Sequence, residues 1–99
     1  MNCHSYRMCF HLSPAGDIVP VLTRTAKVDV LVNCAGVSVR HDPFSVAAFQ
    51  ANYDVNMLGT LRMCNAFLPQ LEASGAGAIV NIASMNSFFG TATAPGYAA

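Results

Sequence analysis

The apolar residues fall into two kinds of run, and the contrast between them predicts the order of elements. Val28-Asp29-Val30-Leu31-Val32-Asn33 and Ala78-Ile79-Val80-Asn81-Ile82-Ala83 are almost continuously apolar and rich in β-branched residues. Such runs suit parallel strands buried on both faces better than edge strands, which alternate apolar with polar positions. Between them the period changes. From Val46 to Ala73, Phe49, Tyr53, Met57, Leu61, Cys64, Leu68 and Leu71 recur every three or four residues, which predicts one long helix with that face buried. Ser45 stands ahead of it as a cap, Pro69 is expected to bend or end it, and Gly75-Ala76-Gly77 reads as a turn.

Upstream, Tyr6 to Leu12 is a short apolar stretch that predicts a further strand near Phe10. Ser13-Pro14 then pairs a helix cap with a proline at the first helical position, and a helix is predicted to about Lys27. Cys34-Ala35-Gly36 stops the strand that follows, and Ser38 to Pro43 reads as a loop. At the far end Gly90, Pro95 and Gly96 lead to Tyr97, where another helix is expected to start. Strand, helix, strand, long helix, strand describes an α/β fold: about three parallel strands joined by right-handed crossovers in one domain over residues 1–99.

Composition changes that picture in one respect. Hydrophobic residues make up 54% of the 99 and charged residues 10%, against about 25% charged in an ordinary soluble domain. A small globule has more surface per residue than a large one, so a chain this apolar reads as the interior of something larger. Five basic residues balance five acidic ones, which removes the positive field that nucleic-acid binding needs. Uninterrupted apolar runs such as Ala78 to Val80 are far shorter than a membrane span, and His4, Ser5 and His11 interrupt any block of signal-peptide length. A cytoplasmic location with reduced thiols is therefore expected. Cys3, Cys9, Cys34 and Cys64 show no paired spacing, and Cys3, His4, Cys9 and His11 contain no Cys-x-x-Cys pair, so neither disulfides nor a metal site is expected.

Two short patterns carry the candidate chemistry. Asn33-Cys34-Ala35-Gly36 follows one strand with small residues that let the backbone come close to a flat ligand. Ser84 follows the other, with Tyr97 thirteen residues on. In an open α/β sheet the carboxyl ends of the strands are where ligands collect. No Gly-x-Ser-x-Gly elbow surrounds Ser84, which argues against a hydrolase. Phe88-Phe89 could line a substrate pocket or cover the core.

From about Phe10 to Ala99 the sequence resembles the short-chain dehydrogenase/reductase family. The resemblance rests on Asn33-Cys34-Ala35-Gly36 after its strand, on Asn56 with Gly59, and on Ile79 to Ser84 followed by Tyr97. It implies a partial Rossmann-like, doubly wound parallel sheet that lacks the first two strands of the order 3-2-1-4-5-6. It also implies an NAD- or NADP-dependent oxidoreductase acting on a small alcohol, sugar or ketone, usually as a homodimer or homotetramer packed through the long helix. Carried over residue by residue, Asn56, Ser84 and Tyr97 take three places of the family's Asn-Ser-Tyr-Lys catalytic set, and Asn33, Ala35 and Gly36 line the cofactor's adenosine side. Four departures accompany the match: Cys34 replaces a second asparagine, His11 stands where an aspartate is common, the glycine-rich turn after the family's first strand has no counterpart in this sequence, and the family's lysine would fall at position 101, beyond Ala99.

The chemistry explains why the lysine matters. A phenol titrates near ~10 and needs a neighbouring cation to act as an acid at working pH. With that lysine and the glycine-rich phosphate loop outside the sequence, the expectation is a central piece of the family domain whose 99 residues alone are inactive. The competing expectation is a catalytically dead remnant that at most associates with related chains. Val28 to Asn33, without its usual neighbours, would be an open apolar edge prone to pairing with other chains. We expect the isolated chain to aggregate in size-exclusion chromatography; a soluble monomer with cooperative unfolding would count against this.

Overall fold

A computed structural model of the chain describes residues 25–99. The predicted strand near Phe10, the helix from Pro14 and the Cys3 to His11 group lie outside them, except that Thr25 to Lys27, the expected end of that helix, are irregular.

The two apolar runs pair in parallel. Strand β1 (Val30–Asn33) lies beside β2 (Ala78–Asn81), with Val30 opposite Ala78, Leu31 opposite Ile79, Val32 opposite Val80 and Asn33 opposite Asn81. The Ala78 N–H donates to the Asp29 carbonyl and the Ile82 N–H to the Asn33 carbonyl, both at 2.9 Å, so the ladder continues one bond past each end. Both strands are shorter than their runs. Val28 leaves the ladder because its N–H donates to the Gln70 carbonyl of the covering helix at 3.0 Å.

The connection is the long helix, interrupted once. Helix α1 (Val46–Tyr53) starts where expected: the Ser45 hydroxyl accepts from the Ala48 N–H at 3.2 Å and donates to the Asp42 carbonyl at 2.8 Å. Asp42 turns the preceding loop with φ 44°, a left-handed conformation that aspartate tolerates better than most residues. A π turn (Asp54–Leu58) then separates α1 from α2 (Gly59–Ser74), with the Gly59 N–H returning to the Asp54 carbonyl. Pro69 does not end α2, which continues to Ser74 and stops at Gly75, whose φ of 75° only glycine adopts freely. The carbonyl four residues ahead of Pro69 belongs to exposed Asn65, where water can replace the missing N–H.

The face that packs on the sheet is not the one the periodicity singled out. Met63, Phe67 and Leu71 close on Leu31 to form the core, with Val28, Cys64 and Ala66 at its margin. Tyr53, Met57, Leu61 and Leu68 are instead between 49% and 56% exposed, and Phe49 is exposed as well. The helix has two apolar stripes, and only Leu71 among the fully buried residues belongs to the expected one. Counting periods cannot say which stripe turns inward, and the π turn shifts the phase of everything after it. Burial of the strands is likewise one-sided. Leu31 and Asn33 are buried, whereas Val30, Val32, Ile79 and Val80 are exposed, so among the described residues helices cover one face of the sheet.

Two short helices follow β2: α3 (Asn86–Phe89), which the sequence pattern did not predict, and α4 (Pro95–Ala98), which begins two residues ahead of Tyr97 with proline in its first turn. Among the described residues no helix is long and apolar enough to cross a membrane.

Gly77 enters β2 against the last turn of α2. A Cβ there would lie 2.5 Å from the Leu71 carbonyl oxygen and 3.0 Å from the Leu71 Cβ. Gly77→Ala should therefore lower stability by about 1–3 kcal/mol, read as a reduced urea midpoint. An unchanged midpoint would mean that β2 does not enter against Leu71.

Candidate active site

β1 and β2 end side by side, and the segments leaving them form one wall of a cleft. Cys34 to Gly36 leave β1, and Ile82 to Ser84 leave β2. The rest of the lining comes mainly from α1, the π turn and α4. The cleft encloses about 780 Å³ and is lined by Ala35, Gly36, Asn56, Asn81, Ser84 and Tyr97, with Phe49, Asn52 and Tyr53 from α1.

The π turn gives this cleft its shape. Asn56, at its centre, accepts the Val37 N–H on Oδ1 at 2.7 Å and donates Nδ2–H to the Val37 carbonyl at 2.9 Å. One side-chain amide thus satisfies both polar groups of a residue with no strand partner. Gly36 fits beneath this pair; an added Cβ would lie 3.3 Å from Asn56 Oδ1. The Asn56 carbonyl accepts from the Thr60 hydroxyl at 3.0 Å. Arg62 reaches back over the turn, with Nη2 2.7 Å from Asp54 Oδ1 and Nη1 3.3 Å from the Asp54 carbonyl. Both partners are more than a third exposed, so this pair contributes under about 1 kcal/mol.

Five of the six residues singled out in the sequence line the cleft: Ala35, Gly36, Asn56, Ser84 and Tyr97. Asn33 does not. It is buried behind the wall, where Nδ2 donates to Asn81 Oδ1 at 2.8 Å and to Cys64 Sγ at 3.4 Å, which engages both amide hydrogens. Its partner Asn81 lines the cleft instead. The Ser84 oxygen accepts the Asn86 N–H at 3.2 Å, leaving its own hydrogen available to a ligand. Asn52, like Asn81, is a cleft residue that sequence reasoning missed. The available signal was a polar residue within the apolar run Val46 to Tyr53, four positions ahead of Asn56. Phe88 and Phe89, 82% and 78% exposed, neither line the cleft nor cover the core.

Ser84 and Tyr97 therefore line one cleft together with the small residues Ala35 and Gly36, and Tyr53, Thr60 and Ser87 add three further hydroxyl-bearing side chains to the same lining. Among the described residues no charged side chain lines it. Among the described residues no three His, Cys, Asp or Glu side chains come together as a metal site would require.

Residues 18–99 match the family model described as short chain dehydrogenase. The chain belongs to this family. An uncharacterized oxidoreductase of Staphylococcus haemolyticus is 38% identical over 72 residues, which cover 71% of this chain and 31% of that protein. Retinol dehydrogenase 8 of Bos taurus is 37% identical over 75 residues, 74% of this chain and 24% of that one. A short-chain dehydrogenase/reductase structure from Burkholderia xenovorans superposes with a TM-score of 0.67 at 31% identity, over 82% of this chain and 36% of that chain. The chain thus spans about a third or less of the length of these short-chain dehydrogenase relatives. The parallel β1–β2 pair with its crossover helix is part of a Rossmann-like α/β fold, and Asn56 sits in it as the clasp of the loop after β1.

Asn56→Ala would leave both polar groups of Val37 without that partner. Amide exchange at Val37, followed by NMR, should accelerate on the order of tenfold, the equivalent of one lost hydrogen bond; exchange at the wild-type rate would show that the clasp does not form.

Proposed function

We propose that this chain is the central part of an NAD- or NADP-dependent oxidoreductase that interconverts a small alcohol or sugar with its carbonyl form. The observation that carries this reading is the convergence of the Ser84 hydroxyl, the Tyr97 phenol and the Ala35-Gly36 wall on one cleft at the carboxyl ends of two parallel strands. Tyr97 gives a proton to the carbonyl oxygen as general acid in reduction and takes it back in oxidation. Ser84 donates its free hydrogen to the same oxygen and orients it. Ala35 and Gly36 let a flat ligand approach the backbone, and the 3.3 Å gap that a Gly36 Cβ would leave to Asn56 shows how little room the wall has to thicken. Asn33 backs this wall through Asn81 rather than touching a ligand. Bound there, a nicotinamide cofactor supplies or accepts the hydride.

The family sets a lysine four residues beyond its tyrosine, a place that falls beyond Ala99, and we read the 99 residues by themselves as inactive for want of it. An inactive remnant is the alternative. The half-exposed stripe of Tyr53, Met57, Leu61 and Leu68 suits a second copy of the chain, in keeping with a homodimer or homotetramer. A cytoplasmic location belongs to the same reading.

The test is to sequence the coding DNA on both sides of the frame, express the whole reading frame, and follow oxidation of NADH and NADPH against a panel of aldehydes, ketones and keto sugars. Tyr97→Phe should lower kcat by about 10²–10⁴-fold, and Ser84→Ala by about 10²–10³-fold. Full turnover by Tyr97→Phe, or start and stop codons at Met1 and Ala99 with no turnover, would overturn the enzymatic reading.

A further inference from the structure

We infer that Gly96 and Asn52 are positioning residues for Tyr97, setting how deeply its phenol stands over the cleft; this rests on the reading of Tyr97 as the proton donor. Helix α4 is four residues long and has little internal bonding to hold it. Its first turn closes through the Ala94 carbonyl, which accepts from the Tyr97 N–H at 3.1 Å and the Ala98 N–H at 3.2 Å. Its position must therefore come from what it packs against.

That surface is the side of α1. A Cβ on Gly96 would lie 3.1 Å from the Phe49 Cα, 3.2 Å from the Phe49 Cγ and 3.3 Å from Asn52 Nδ2. Every one of these is closer than an ordinary carbon contact. The glycine answers a need for space, since its φ lies outside the left-handed region that Gly75 and Gly90 occupy. Neither neighbour can yield. The Phe49 Cα is helix backbone, and Asn52 is 1% exposed with both ends of its amide held. Nδ2 donates to the Ala48 carbonyl at 2.7 Å, and Oδ1 accepts from the Val39 N–H at 3.3 Å. Asn52 thereby ties three pieces together: the loop after β1, helix α1 and the seat of α4. Ala94, 2% exposed, anchors the other side of the segment.

Tyr97 is the next residue after the contact, so any side chain at 96 lifts the phenol together with α4. Proton transfer needs heavy atoms within about 2.6–3.2 Å, and a displacement of about 1 Å can lower a rate on the order of 10²-fold. Even a few tenths of an ångström would be felt.

The experiment places 3-fluorotyrosine in the expressed whole frame, assigns Tyr53 and Tyr97 by loss of a signal in Tyr53→Phe and in Tyr97→Phe, and records ¹⁹F spectra without cofactor. Gly96→Ala should move the Tyr97 resonance while the Tyr53 resonance keeps its wild-type position. A Tyr97 resonance that stays in place in a folded Gly96→Ala protein overturns the inference. Should Gly96→Ala collapse both signals to the unfolded position, Asn52→Ala decides: it removes one wall of the seat without adding an atom, and must shift Tyr97, or the inference fails. In the expressed whole frame, Gly96→Ala should lower kcat about 10- to 100-fold with KM for the nicotinamide cofactor unchanged. A moved resonance in a protein whose Tyr97→Phe variant keeps full turnover removes the role of Tyr97 as acid and leaves the seat standing.

Discussion

The cleft depends on one side chain pairing with one peptide residue. Val37 has left β1 and joins no further strand among the described residues, so its N–H and C=O need partners that the β1–β2 pair does not supply. The Asn56 amide is a donor and an acceptor at the spacing of a peptide, and it meets both. That clasp helps to fix the course of the segment from Cys34 to Val39, and with it the position of Ala35 and Gly36 in the wall. Asn52 repeats the device one turn earlier by accepting the Val39 N–H. Two asparagines on one helix thus fold the loop after β1 as a neighbouring strand would.

This places competing demands on the helix. Its lower half must bury Met63, Phe67 and Leu71 on Leu31, while its upper half must turn two amides toward a loop on a different bearing. A continuous α-helix repeats its faces at 100° per residue and holds one phase throughout. The π turn at Asp54–Leu58 changes that phase between the two tasks, and Arg62 spans it from outside. Site and core are therefore joined rather than adjacent, since a change in the packing of Phe67 would be transmitted along the same rod that carries Asn56.

Much of this was legible in the sequence, for identifiable reasons. The two β-branched runs had no other plausible conformation in an α/β chain, and they pair as parallel neighbours. Ser45 announced the helix start because a cap is local chemistry that needs no tertiary partner. Ser84 and Tyr97 meet in one cleft as their resemblance to a family pattern implied. What was not legible depends on contacts between distant segments. Periodicity identified an apolar stripe but not which of two stripes faces the sheet. Asn33 had a suitable type and place for a ligand contact, yet the register sets it opposite Asn81 and behind the wall. Gly96 looked like loop punctuation, because its need for space exists only once α1 lies against it.

Among the described residues the side chains that line the cleft are all uncharged, which has a consequence for its environment. The field inside is set by hydroxyl, amide and peptide dipoles, which are fixed by the fold and do not gather counterions. Dissolved salt has nothing there to screen. Ionic screening therefore leaves the attraction between these dipoles and an uncharged ligand little changed, and a salt dependence of the screening kind points to charged groups beyond these side chains.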